Sequence, residues 1–197
     1  MAVPAGPRHP HAYSILLLTL LYNALATATA ATASACSLLR PQDATFSHDS
    51  LQLLQDTAPS PPQLCPQHNA PCSFNHTLLD TNNTRQADKT TLDVLQHLLK
   101  ILSSPSTPDH WIDRQRQSLL NHIQRYTQHL EQCLAHRDVR SHTRGPRNLQ
   151  LSVNKYFSCL RTFLQDNNYS ACAWDYIRRE ARDWFLHIHN LTGNTRT

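Results

Sequence analysis

Glycine is nearly missing from this sequence: there are three in 197 residues, at 6, 145 and 193. With so few, a glycine-rich phosphate loop has no place to form, and neither does the Gly-x-Ser-x-Gly turn of serine hydrolases. No Asn-Gly or Asp-Gly pair occurs and no stretch alternates apolar with polar residues, so the usual signs of hairpins and strands are absent. Lysine is as scarce, with Lys89, Lys100 and Lys155 the only three. The formal net charge of +4 is spread thinly along the chain, which is not the concentrated basic patch that nucleic acid requires. No CxxC pair exists, which disfavours a zinc site. Together these absences point away from an enzyme, a metal or other cofactor, and a nucleic-acid partner.

What is present begins with a processing signal. Arg8 lies in a short leading region, Ile15 to Ala26 is mostly apolar, and Ala33-Ser34-Ala35 is a small-residue cleavage site before Cys36. An apolar core of that length falls short of the ~20 residues that span a bilayer. The expected organisation is therefore a secretory signal peptide over 1–35 and one domain over 36–197, secreted, without membrane insertion. All six cysteines, at 36, 65, 72, 133, 159 and 172, lie after the cleavage site. In an oxidising compartment an even set reads as disulfides, and spacing alone leaves the connectivity open. Sequons at Asn75, Asn82, Asn168 and Asn190 suit the same compartment and are expected to carry glycans.

Proline and glycine divide the domain into long uninterrupted pieces. Five prolines crowd Pro59 to Pro71, two sit at Pro105 and Pro108, and Gly145-Pro146 forms a third break. Between these joints, 72–104, 109–144 and 147–192 contain neither residue, as helices demand. Apolar spacing agrees: Leu92, Leu95, Leu98, Leu99 and Leu102 follow helical steps, and Leu119, Ile123, Tyr126, Leu130 and Cys133 repeat as a bundle seam. Leu149 to Leu164 and Trp174 to Ile188 make two further stripes, and a shorter helix is expected from about Thr45 to Asp56. The fold class is all-α with five helices. The first connection, about Thr57 to Ala87, is long enough to run the length of a bundle, so the first two main helices can be parallel in an up-up-down-down arrangement.

On the last helix, with Trp174 as zero and 100° per residue, Ile177, Ala181, Trp184, Phe185 and Ile188 share one side. Arg178 and Arg182 stand at its edge, one turn apart, where like charges cost a few tenths of a kcal/mol in an isolated helix. Only Asp175 is placed to compensate Arg178; on spacing alone the two arginines read as a solvated edge, the other reading being a partner outside the helix that meets them. Asp175, Arg179 and Asp183 read as a solvated charge ladder. His122, His129 and His136 recur every seven residues, too far apart to share a metal, and read as a solvated face. His187 and His189 point to different sides of their helix. Trp111, Trp174 and Trp184 read as core.

Tyr156 to Trp174, YFSCLRTFLQDNNYSACAW, resembles the signature of the type I interferons: an aromatic pair, Phe-Leu, seven residues, then Cys-Ala-Trp. The likeness continues through RPQDATFSHDSLQLL, ILSSPSTP, HLEQC and FLHIHNLTGNTRT. It implies a helical cytokine bundle cross-linked by disulfides, a monomer, which binds two chains of a cell-surface receptor and starts an antiviral programme. It also implies the bridges Cys36–Cys133 and Cys65–Cys172, which leaves Cys72–Cys159 as a third, the alternative being two free thiols. For the tighter receptor chain the matching positions are Leu64, Gln67 and His68 in the first loop, beside Pro66 and Asn69, with Arg178 and Arg182 on the last helix. For the second chain they are Leu99 and Lys100. Cys159 stands where the family often has an arginine. The alternatives to this reading are another secreted four-helix cytokine, a lipid-binding helical protein of the saposin kind, and a basic, disulfide-bonded ribonuclease-like hydrolase using paired histidines.

Overall fold

The computed structural model describes residues 39–61, 72–138 and 147–194. It contains five helices: α1 (Leu39–Thr57), α2 (Thr84–Leu102), α3 (Asp113–Asp138), α4 (Arg147–Asp166) and α5 (Ala171–Asn194). Among the described residues, a 3-10 turn, His76–Leu79, interrupts the connection from α1 to α2. No strand occurs among the described residues. The first helix starts earlier than the apolar pattern suggested. Pro41 falls in its first turn, where the missing N–H would have had no helical partner in any case. Asn83 caps α2 by accepting the Gln86 N–H at 3.0 Å, and Asn75 caps the 3-10 turn through Thr77 N–H at 3.1 Å.

Backbone and side-chain contacts fix the directions of α1, α2, α3 and α5. Ile112 N–H, just before α3, donates to Thr57 O at the end of α1 (2.8 Å), while Gln42 near the start of α1 meets His129 late in α3 (2.8 Å). Those two helices are therefore antiparallel. Arg116 at the start of α3 reaches Leu102 O at the end of α2 (3.2 Å), so α2 also opposes α3 and runs with α1. Trp174 at the start of α5 donates to Ser106 O, just past α2 (2.7 Å), which sets α5 alongside α3. Thus α1 and α2 run up, α3 and α5 run down, and α4 is the return limb between the last two. A joint of four residues links α4 to α5, with Asn168 and Tyr169 both left-handed (φ 48° and 53°), an uncommon backbone that Asn tolerates best.

The core holds the large residues of every helix. Phe46 of α1 lies stacked on Tyr126 and His122 of α3, with centroids 4.0 and 5.1 Å away, and edge-on to Phe185 of α5. Trp184 packs among Phe74, Tyr156 and Phe157, and Trp111 meets Trp174 edge to face at 5.3 Å. All three tryptophans are buried. Two of the three histidines in the stripe are not on the solvated face that their spacing suggested, and the side chain of His136 lies outside the described residues. His122 is half-buried against Phe46 and His129 is half-buried on Gln42, because α1 lies over that side of α3. Cys72 and Cys159 are joined (S–S 2.10 Å), tying the crossover to α4. Cys133 and Cys172 are each in a disulfide as well, while Cys36 and Cys65 lie outside the described residues.

Phe46→Ala would empty the site where α1, α3 and α5 meet. The expected cost is about 3–5 kcal/mol of folding stability, read as a lower urea midpoint with an unchanged slope. An unmoved midpoint would mean that α1 is not part of the cooperative core.

Candidate functional site

The chain leaving α1 makes a groove with α5. Leu51, Leu54 and Gln55 form one wall, Ser60 and Pro61 one end, and Arg178, Arg179, Arg182 and Leu186 the other wall, around a volume of about 490 Å³. Arg178, Arg182 and Leu186 occupy successive turns of one helical row. Arg182 is exposed and Leu186 is 43% exposed. Arg179 is also exposed, with its guanidinium carbon 5.0 Å above the Tyr176 ring. The site thus offers an apolar strip beside two outward arginines, an arrangement suited to a protein surface carrying apolar and acidic groups.

Arg178 is placed otherwise than its sequence neighbours suggested. It is 7% exposed, not an under-compensated surface charge. Nη1 donates to Ala58 O and to Ser60 O, the latter at 3.0 Å, and Nη2 donates to Ser60 O at 3.0 Å. Asp175 Oδ1 lies 3.4 Å from Nη2 and is itself in a residue 4% exposed. The expected solvated ladder of Asp175, Arg179 and Asp183 is corrected accordingly, since Asp175 turns inward to Arg178. Nothing in the residue pattern marks Ala58 and Ser60 as partners, because their contribution is backbone oxygen.

Other expected site residues fall elsewhere. Leu99 is half-buried against the core and Lys100 is exposed in the last turn of α2. Leu64, Gln67 and His68 lie outside the described residues, as do Pro66 and Asn69. All four sequon asparagines are exposed. Asn82 and Asn190 line one open cavity of about 470 Å³ together with His76, Asp80 and His187. No group of three or more metal-ligating side chains occurs among the described residues, and no described helix is long and apolar enough to cross a membrane.

Tyrosines in the interior hold their protons. Burial, then the Glu180 carboxylate that accepts its hydroxyl, raises Tyr156 far above an ordinary phenol. Burial and Glu180 likewise raise Tyr176 to about 12. Tyr126 is raised by burial and by Asp88, and its hydroxyl donates to Asp43. These phenols act as neutral donors over the whole physiological range and serve packing.

A family model described as the interferon alpha/beta domain matches residues 39–195. The chain is 76% identical over 197 residues to "Interferon type A1/A2" of Gallus gallus, covering all of both chains. It is 71% identical to "Interferon" of Meleagris gallopavo, again over the full length of each. "Interferon type B" of Gallus gallus is 54% identical over 95% of this chain and 89% of that one. Among solved structures, zebrafish interferon 1 superposes with a TM-score of 0.65 at 20% identity, over 77% of this chain and 94% of its own.

His187 stacks on His76 with centroids 4.0 Å apart. Its pKa lies below the ordinary 6.5, through burial first and then the neighbouring His76, partly opposed by Asp183. The unfolded chain therefore binds this proton more readily than the folded one. The contribution of His187 to stability is full above about pH 6.5 and is lost as pH falls below it toward the folded-state value. His187→Gln should lose less of its urea midpoint between pH 7 and pH 5 than the parent does; equal losses in both would refute this.

Proposed function

The chain belongs to the interferon alpha/beta family, and from that membership we propose that it is a secreted type I interferon that bridges two chains of a cell-surface receptor. Its likeness across the whole of both sequences to "Interferon type A1/A2" is the observation that carries the reading. Relatives of this kind are signalling proteins and not enzymes, so the chain acts by presenting surfaces and catalyses nothing. Bringing two receptor chains together lets the kinases bound to their cytoplasmic tails activate one another and start an antiviral transcriptional response. Another four-helix cytokine, the alternative closest in class, gives way to the family match over residues 39–195.

The tighter receptor chain docks on the groove between α1 and α5. Arg182 and Leu186 are its exposed anchors, with Leu64, Gln67 and His68 contributing from the first loop. The second chain docks on the surface bearing Leu99 and Lys100. Residues 1–35 are the signal peptide, the mature protein is monomeric, and Asn75, Asn82, Asn168 and Asn190 carry the glycans. The two remaining bridges are Cys36–Cys133 and Cys65–Cys172. Two placements support them: the first turns of α1 lie beside late α3, through Gln42 and His129, and Cys172 opens α5 at the end of the bundle where the chain leaves α1.

Purified residues 36–197 applied at nanomolar dose to receptor-bearing avian cells should cause rapid tyrosine phosphorylation of the downstream transcription factors. A silent response with receptor present would refute the reading. Arg182→Ala should weaken binding to the isolated ectodomain of the tighter chain by about 1–2 kcal/mol, roughly five- to thirtyfold in Kd, with no change in melting temperature. Unaltered affinity would remove Arg182 from the contact.

A further inference from the structure

We infer that Arg178 is a positioning residue: it holds the chain leaving α1 in the shape that the receptor meets, and does not itself touch the receptor. The inference rests on the receptor reading of the groove given above. Beyond Thr57 the chain runs Ala58-Pro59-Ser60-Pro61. The two prolines have no N–H, and each forces its preceding residue toward extended backbone. Carbonyl oxygens are thus the main handles by which the rest of the protein can grip this stretch. Arg178 takes the two that precede the prolines, Ala58 O and Ser60 O, with the flat fork of one guanidinium.

Geometry also separates this role from direct contact. Both terminal nitrogens of the guanidinium face those carbonyls and Asp175, which is buried with Arg178, so an incoming carboxylate could take this forked end only by displacing one of them. Breaking a buried, hydrogen-bonded charge pair costs more than a rim contact returns. Ser60 and Pro61, by contrast, are exposed and close one end of the groove whose wall carries Arg182 and Leu186. The guanidinium therefore sets where that end of the groove stands relative to the exposed arginine. Lysine keeps the charge but has a single ammonium on a flexible stem and cannot hold both oxygens in one plane.

Arg178→Lys tests this in the intact mature protein, with two readouts on the same sample. In free protein, the ¹⁵N order parameters of the Ala58 and Ser60 amides should fall from rigid values of about 0.85 toward about 0.6, while those of Leu95 and Leu98 in α2 stay unchanged. Affinity for the tighter chain's ectodomain should drop about tenfold or more. Combining the change with Pro61→Gly should add less than the two single losses together, whereas combining it with Arg182→Ala should add in full. Weakened binding with Ala58 and Ser60 still rigid would make Arg178 a direct contact and overturn the inference. So would loosening spread through α2 and the other helices, or a loosened loop with undiminished affinity. If the parent protein fails to bind the ectodomain, the receptor reading itself falls, and the order parameters still report on the clamp.

Discussion

The constraint on which this bundle turns is the path of the chain between α1 and α2. Two parallel helices that face each other across the bundle, each packed on α3 and α5, require a connection that travels the full length of the molecule, and a loop of that kind has no ladder of its own to hold it. The last helix holds it instead. Arg178 grips Ala58 and Ser60, the Tyr176 hydroxyl donates to Cys72 O at 3.3 Å, Trp184 packs on Phe74, and His187 stacks on His76. From Tyr176 to His187 the helix meets Cys72, Phe74 and His76 in order, so this part of the crossover runs alongside α5. The Cys72–Cys159 bridge fastens the same segment to α4. Half of the crossover is thereby turned from a loop into a sixth strip of the packed body.

This arrangement explains why α5 combines so many roles in one sequence. Its apolar side closes the core through Trp174, Ile177, Ala181, Trp184, Phe185 and Ile188, all nearly inaccessible. Its flanks carry the polar groups that hold the crossover, and the row through Arg182 and Leu186 is left open to solvent. Core packing, loop fastening and outward display therefore share a single rigid rod. A partner that reads Arg182 and Ser60 together reads two elements whose relative position is set by one side chain between them.

The architecture was legible where physics repeats along the chain. Breakers at the joints and apolar steps of three and four marked five helices, and the length of the first connection marked the parallel pair. Motif spacing from Tyr156 to Trp174 pointed to the family. Legibility failed where partners meet across space. Arg178 looked under-compensated because its main acceptors are the carbonyls of Ala58 and Ser60, and any residue type could supply those. His122 and His129 looked solvated because their cover, Phe46 and Gln42, comes from another helix. Asp175 and Arg179 looked like one ladder because spacing on a helix says which residues can meet and not which way each one turns. The start of α1 was read late because Pro41 counts as a breaker everywhere except in a first turn.

At the end of the bundle where α1 and α2 finish together, Arg178 has a counterpart. Arg116 Nη1 donates to Leu102 O and Ser104 O, both at 3.2 Å, as Arg178 does to Ala58 O and Ser60 O. Parallel helices bring their negative poles to the same end of the bundle, each equivalent to about half an elementary charge, where like poles repel. One guanidinium at each terminus neutralises both. The shared direction of α1 and α2, which pack on α3 and α5 rather than on each other, is thus stabilised partly by charge brought from those two helices, whose positive poles begin at that same end.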